Sequence, residues 1–434
     1  MGYEKEVEAN RDLALRAGQV QDAIDALLAL ERTARLSGDI PGTTEVCVAI
    51  VKICHDAGQW TLLNDNIQLI SKRRAQLKQT IQAIVQEATT WVEEQPDVAK
   101  KLELITTLRT VTEGKMYVEV ERARLSMTLA RMREAEGKFE EAREVLQDTQ
   151  VETLGGMDKR EKTEFVLQQV RLCLATNDMM RAWIVSKKVN LKFFQDGTLD
   201  DLKVRYYHLV TQYHMHSKDT FELFSAFQCL HATKAIQDDA ALSADALKLT
   251  TIYLLLSQHG NEQQDQMHRL KLLKELDELP LYAKLVELFV TDEVFTYADV
   301  GTALEAEVAP DGALAKPLAQ FGGLAEHITQ TMHLRIVQHN MRVLAKFYRR
   351  VKMTRVASLL KVGEAEAERE LSEMVTSGAL YARIDRPAGV VTFKKPQKPN
   401  ELLNDWSGNI SKLLNLVEST CHQIHKETMV HSLA

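Results

Sequence analysis

Apolar residues recur along the chain at helical intervals, broken by turns of one form. Gly18-Gln19-Val20 with Ala23, Gly58-Gln59-Trp60 with Leu63, Gly137-Lys138-Phe139 with Ala142, Asn177-Asp178-Met179 with Ala182 and Asp219-Thr220-Phe221 with Phe224 share a common pattern. A turn residue is followed two positions on by a large apolar residue and five positions on by an apolar residue suited to close packing. Pro96 with Val98 fills the gap loosely, so the turns fall roughly every 40 residues, the period of helical hairpins that bury their apolar faces on one another. From Asp97 to Leu279 there is no proline, in sequence rich in Ala, Leu, Glu, Lys, Arg and Gln, which predicts helix after helix and no strand. The expectation for residues 1–330 is an all-α solenoid arm of TPR/HEAT-like helical hairpins.

The pattern then changes. Met341, Val343, Leu344 and Phe347 give one apolar helical face, and Val351-Lys352-Met353 suits a short edge strand. Thr354 can cap a helix carrying Val356, Leu359 and Leu360, because its hydroxyl accepts an otherwise unpaired backbone N–H. A further helix turns Leu371, Met374 and Val375 inward, and Gly378 supplies its left-handed stop. Leu380 to Ile384 and Val390 to Phe393, joined through Arg386-Pro387-Ala388-Gly389, read as a hairpin. Elements in this order make a small α+β winged helix, placed at residues 331–396, with Tyr381, Val391 and Phe393 expected at its strand edge. Its third helix carries Glu364, Glu366, Glu368, Glu370 and Glu373 against Arg369, where a DNA reader needs positive charge to meet phosphate. Lys346, Arg349, Arg350, Lys352 and Arg355 lie nearby and read as a solvated basic face, with nucleic-acid binding as the alternative.

Lys394-Lys395-Pro396-Gln397-Lys398-Pro399 is a semi-rigid connector, and Asn400 can cap a helix starting beyond it. Leu403, Trp406, Ile410, Leu413, Val417, Thr420 and Ile424 alternate steps of three and four, a heptad seam on a long C-terminal helix within residues 397–434. With little of its own chain left to cover it, the seam is expected to lie among partner helices.

Composition narrows the class. The 434 residues are 45% hydrophobic and 26% charged with a net charge of −7, enough for a large core and without a basic field to draw nucleic acid or acidic lipid. Cys47, Cys54, Cys173, Cys229 and Cys421 are odd in number and scattered, as in a cytosolic or nuclear protein with reduced thiols. Met1-Gly2-Tyr3-Glu4-Lys5 opens no signal peptide, and no apolar run spans a bilayer. His214-Met215-His216 supplies half of a zinc-isopeptidase motif, but Ser225 is displaced by one position, Gln228 stands where an Asp is needed and the context is helical. His422 and His425 beside Cys421 lack a further ligand, and Gly155-Gly156 and Gly322-Gly323 lack phosphate-loop spacing. No enzyme, cofactor or metal site is expected.

A helical arm, a winged helix and a terminal helix, in that order, resemble the PCI-domain family, the scaffolds shared by the proteasome lid, the COP9 signalosome and translation initiation factor three. Lys101 to Thr112, Tyr117 to Leu125, Gln150 to Thr153, Arg171 to Ala175, Asn190 to Phe194, His339 to Tyr348 and Leu402 to Ser407 resemble the lid-subunit-five branch of that family. Where such proteins commonly cap the third helix with a Ser-type residue, this chain has Gly363. The resemblance implies that residues from about 220 belong to the PCI module, and it implies a structural role in the lid of the regulatory particle. Winged-helix edges and C-terminal helices would join other PCI subunits, the deubiquitinase subunit would be a neighbour, and the arm would reach the ATPase ring and the core-particle α-ring. A signalosome scaffold shares the same fold and stays open as the alternative.

Overall fold

The computed structural model describes residues 6–11, 20–74, 76–194, 197, 199–309, 312, 314, 325–394 and 398–432. The turn residues Gly18 and Gln19, the pair Gly322-Gly323 and the connector residues Lys395 to Gln397 lie outside them. Two compact units divide the chain, Met1–Leu247 and Lys248–Ala434.

In the first unit, helices α1 (Val20–Ser37), α2 (Ile40–Asp56), α3 (Trp60–Lys72), α4 (Lys78–Glu94), α5 (Val98–Thr112), α6 (Glu119–Ala135), α7 (Phe139–Gln147), α8 (Lys159–Ala175), α9 (Met179–Ser186), α10 (Asp200–Ser217) and α11 (Thr220–His231) succeed one another. Successive helices form hairpins, and α2 lies on α4, α4 on α6, α3 on α5 and α8 on α10, which is the stacking of an α-solenoid. Two apolar clusters run through the stack, one built on Ile24, Ile50, Leu63 and Leu104, the next on Leu146, Phe165 and Leu202.

The turns work by one device. Gly58, Gly137, Asn177 and Lys218 adopt positive φ of 67°, 78°, 56° and 59°. The N–H of the next residue reaches back to the carbonyl five residues earlier: Gln59 to Cys54 at 3.1 Å, Lys138 to Arg133 at 2.9 Å, Asp178 to Cys173 at 2.9 Å and Asp219 to His214 at 3.1 Å. This Schellman closure satisfies the last carbonyls of one helix while aiming the chain into the next. The fifth turn therefore sits one residue earlier than the sequence pattern placed it. Lys218 is the left-handed residue, Asp219 caps α11 by accepting the Glu222 N–H, and Leu223 joins Phe224 in the core. Gly38-Asp39-Ile40 makes the same turn, and Thr43 is fully buried where the pattern called for an apolar residue. The fifth position is the packing one: Ala23, Leu63, Ala142 and Ala182 are buried, whereas the second position varies from buried Val20 to exposed Phe139 and Val98.

Helix α12 (Ala240–Leu256) has residues in both units, and the second continues with α13 (Asn261–Lys271), α14 (Pro280–Val290), α15 (Tyr297–Val308) and the long α16 (Ala325–Phe347). β1 (Arg350–Lys352), α17 (Met353–Leu360), α18 (Glu364–Thr376), β2 (Arg383–Asp385) and β3 (Val390–Thr392) come next, then α19 (Pro399–Ser432). The winged helix is present, with its core on Val337, Met341, Leu344, Val356, Leu360, Leu371, Met374, Val391 and Phe393. Asn340 fixes α16 to the chain ahead of α15: its side-chain N–H donates to the Phe295 carbonyl at 2.7 Å and its oxygen accepts the Phe295 N–H at 3.2 Å. Beside it, His339 donates from Nε2 to the Glu293 carbonyl at 3.3 Å.

Several local expectations are corrected. The antiparallel sheet has the order β1-β3-β2, with Val391 opposite both Val351 and Ile384. β3 is thus the central strand, Val391 is 0% exposed and Phe393 is in the core, so neither is an edge residue. Tyr381 is half-buried ahead of β2, since Leu380 to Ala382 pair with no strand. Met353 begins α17 instead of ending β1, the N-cap position falls to Lys352, and Thr354 caps nothing. Phe347 and Val375 face outward, beyond the reach of the single layer of core residues.

Candidate partner-binding surfaces

Pro399 opens α19 at its first helical position, where its missing N–H costs nothing. The Lys398 carbonyl accepts the Leu402 N–H, and the Glu401 carboxylate reaches back to the Lys398 N–H at 3.4 Å. Lys398 and Glu401 thus form the cap, and Asn400 lies inside the helix. The helix runs for 34 residues and buries no residue. Every predicted seam residue is open: Leu403, Trp406, Ile410, Leu413, Val417 and Ile424 range from 41% to 65% exposed.

Leu402, Leu414 and Leu416, which the seam alone misses, are also exposed and fall at the e and g positions flanking it. An apolar stripe of a, d, e and g positions is wider than a two-stranded coiled coil covers. It suits a helix surrounded by more than one other helix. Gly408 and the charged Asp405, Lys412 and Lys426 lie away from the stripe, so its borders are set by sequence.

The winged helix leaves the outer edges of β1 and β2 unpaired in the sheet. β1 carries exposed Arg350 and Lys352 with exposed Phe347 and Tyr348 just before it, while β2 carries exposed Arg383 and Asp385. Charged, short edges resist indiscriminate strand addition. On α18 the carboxylates are not all one face. Glu370 is 5% exposed and packs on the side of Ala367, Leu371 and Met374, where burial pushes its carboxyl up. Glu368 pairs with Arg386 of the hairpin turn at 2.7 Å, tying α18 to the wing. Glu364, Glu366 and Glu373 remain at the surface, which repels phosphate.

The chemistry-bearing motifs are structural. His214 is buried on α10 against Trp183 and Tyr213, while His216 faces out, so the two imidazoles diverge. Cys47 and Cys54 are buried thiols pushed up to about 12 and about 11 by burial, the opposite of what a nucleophile needs. Among the described residues, no group of three His, Cys, Asp or Glu side chains is placed to hold a metal, and no helix is long and apolar enough to cross a membrane.

Three family models match successive stretches of the chain. The family model described as PSMD12/CSN4, N-terminal, matches residues 22–239, the PCI domain matches 314–395, and the 26S proteasome regulatory subunit RPN5 C-terminal domain matches 400–432. The chain is 37% identical over 441 residues to the 26S proteasome non-ATPase regulatory subunit 12 homolog A of Arabidopsis thaliana, covering 96% of this chain and 99% of that protein. It is 34% identical to the 26S proteasome regulatory subunit RPN5 of Saccharomyces cerevisiae, covering 97% and 94% of the two. The COP9 signalosome complex subunit 4 of Drosophila melanogaster is 21% identical over 84% of the chain.

Proposed function

The chain belongs to the family of 26S proteasome non-ATPase regulatory subunit 12, or RPN5, and from that membership we propose that it is a non-catalytic scaffold of the proteasome lid. Its part in ubiquitin-dependent degradation is to hold other subunits in place. The observation that carries this reading is α19, a 34-residue helix with a wide apolar stripe and no buried residue. An exposed apolar stripe of this extent marks a surface that partners cover. Those partners are the C-terminal helices of other PCI subunits, gathered with α19 into one bundle.

The open edges of β1 and β2 pair with neighbouring winged helices, since strand addition uses backbone hydrogen bonds that an edge already presents. The deubiquitinase subunit is a neighbour, and the arm of stacked hairpins contacts the ATPase ring and the core-particle α-ring. Work at the proteasome places the protein in cytoplasm and nucleus. The signalosome reading shares the N-terminal family model, but the identity of 21% against 34% and 37% favours the lid.

Affinity capture of the tagged full chain tests this. Co-recovery of the ATPases and core particle is the expected result. Recovery of a cullin-deneddylating assembly without them assigns the chain to the signalosome, and salt-sensitive DNA retention without either assigns a nucleic-acid role.

A further inference from the structure

The second unit encloses a cationic cavity of about 90 Å³, lined by His259, His268, Arg335, His339, Arg342 and Lys346, with Asp292 as the one carboxylate among its described lining residues. Asp292 is already taken at the mouth, where it accepts from Lys346 Nζ at 2.6 Å. Arg335 is engaged as well: Nε donates to the Leu256 carbonyl and a terminal nitrogen to Gln338, both at 2.8 Å, and Glu370 favours its charge. His339 is held by the Glu293 carbonyl.

Arg342 is different. It shares one face of α16 with Arg335 and His339, yet no anion or hydrogen-bond acceptor among the described residues supports its charge. The buried Nδ1 of His259 in the same wall makes no hydrogen bond, although the Gln263 side chain beside that ring favours its charged form. The crowding is mutual: burial and then Arg335 pull Arg342 down to about 10, while burial and then Arg342 pull His339 down to about 4 and lower His259. A partly buried guanidinium beside a second one, without a counter-charge, is a costly arrangement unless something anionic completes it.

We propose that this cavity binds one small tetrahedral oxyanion, phosphate or sulfate, held by Arg342 and His259 with Arg335 behind them. Guanidinium forks match the geometry of such an anion, and exposed His268 and Lys346 draw it in at the mouth. The space admits a single such group but not a nucleotide. Bound there, the anion neutralises α16 and joins it to α13 and α14, stiffening the helix that carries the winged helix. Binding also favours the charged imidazoles, so affinity rises as pH falls.

The test is thermal unfolding of the full chain in chloride buffer, with inorganic phosphate or sulfate added at constant ionic strength. The expected result is a saturable rise in the unfolding midpoint, about 1–2 °C for a chain of 434 residues at ten times the dissociation constant. Sulfate, whose charge is constant over this range, binds several-fold more weakly at pH 8 than at pH 6. Arg342→Gln abolishes the rise and, in chloride alone, unfolds no earlier than the wild type, because it removes an uncompensated charge. Absence of a saturable rise in the wild type, or an undiminished rise in Arg342→Gln, overturns the proposal. Should that variant fail to fold, His259→Gln serves: weakened sulfate binding supports the site, and wild-type affinity overturns it.

Discussion

Trp406→Ala separates a helix that serves partners from one that serves its own chain. Trp406 is 65% exposed, and a tryptophan carries roughly 250 Å² of surface, so about 160 Å² is left for a partner to cover. At about 25 cal/mol per Å² that burial contributes about 4 kcal/mol, of which an alanine in the same place recovers little. Loss of about 3–4 kcal/mol weakens association by about 10²–10³-fold. In the free chain the same change removes almost nothing, within about 0.5 kcal/mol, because α19 buries no residue. The two assays are urea unfolding of the purified chain and titration of the chain into lid lacking this subunit, read on a native gel. A free chain destabilised by more than about 1 kcal/mol means that α19 folds back onto its own chain. Incorporation at the wild-type concentration means that the seam is not the contact.

Ala142→Leu overpacks a position that is 0% exposed at the start of α7 and destabilises the arm by about 1–3 kcal/mol in urea unfolding, whereas Phe139→Ala, at a residue 41% exposed, costs much less. Lys218→Gly relieves a left-handed residue with a side chain and raises stability by about 1 kcal/mol, provided that Asp219 still caps α11. Burial raises the folded-state pKa of Glu370 above its unfolded value, so the stability it contributes is complete below the unfolded pKa and is lost as pH rises through the folded one. Glu370→Gln is therefore more stable than the wild type at pH 8, with an advantage that shrinks as pH falls through the carboxylate range; an advantage that grows on acidification contradicts the burial argument.

Turns were legible where the chemistry is local. Gly58, Gly137 and Asn177 are residues that enter the left-handed region readily, so they announce the end of a helix. Lys218 enters it as a residue with a full side chain, and nothing in its own chemistry signals that. Thr43 hides a repeat for a related reason: its hydroxyl is satisfied by the Asp39 carbonyl at 2.6 Å, which lets a polar residue take a packing position. The heptad seam was legible because exposure and helical spacing require no tertiary knowledge. The sheet was not, because a hairpin read from β2 and β3 says nothing of β1 pairing on the far side of β3 and burying Val391. The run of glutamates misled in the same way. Along the sequence Glu370 belongs with the acidic residues, but on the helix it belongs with Leu371 and Met374.

On this reading the chain is assembled through α19, a helix that the described residues leave uncovered. A chain truncated after Pro399, added to lid lacking the subunit and tracked by native gel, tests it most directly. The expected product is a soluble protein with the wild-type unfolding midpoint that stays out of the assembled lid. Incorporation equal to that of the full chain contradicts it.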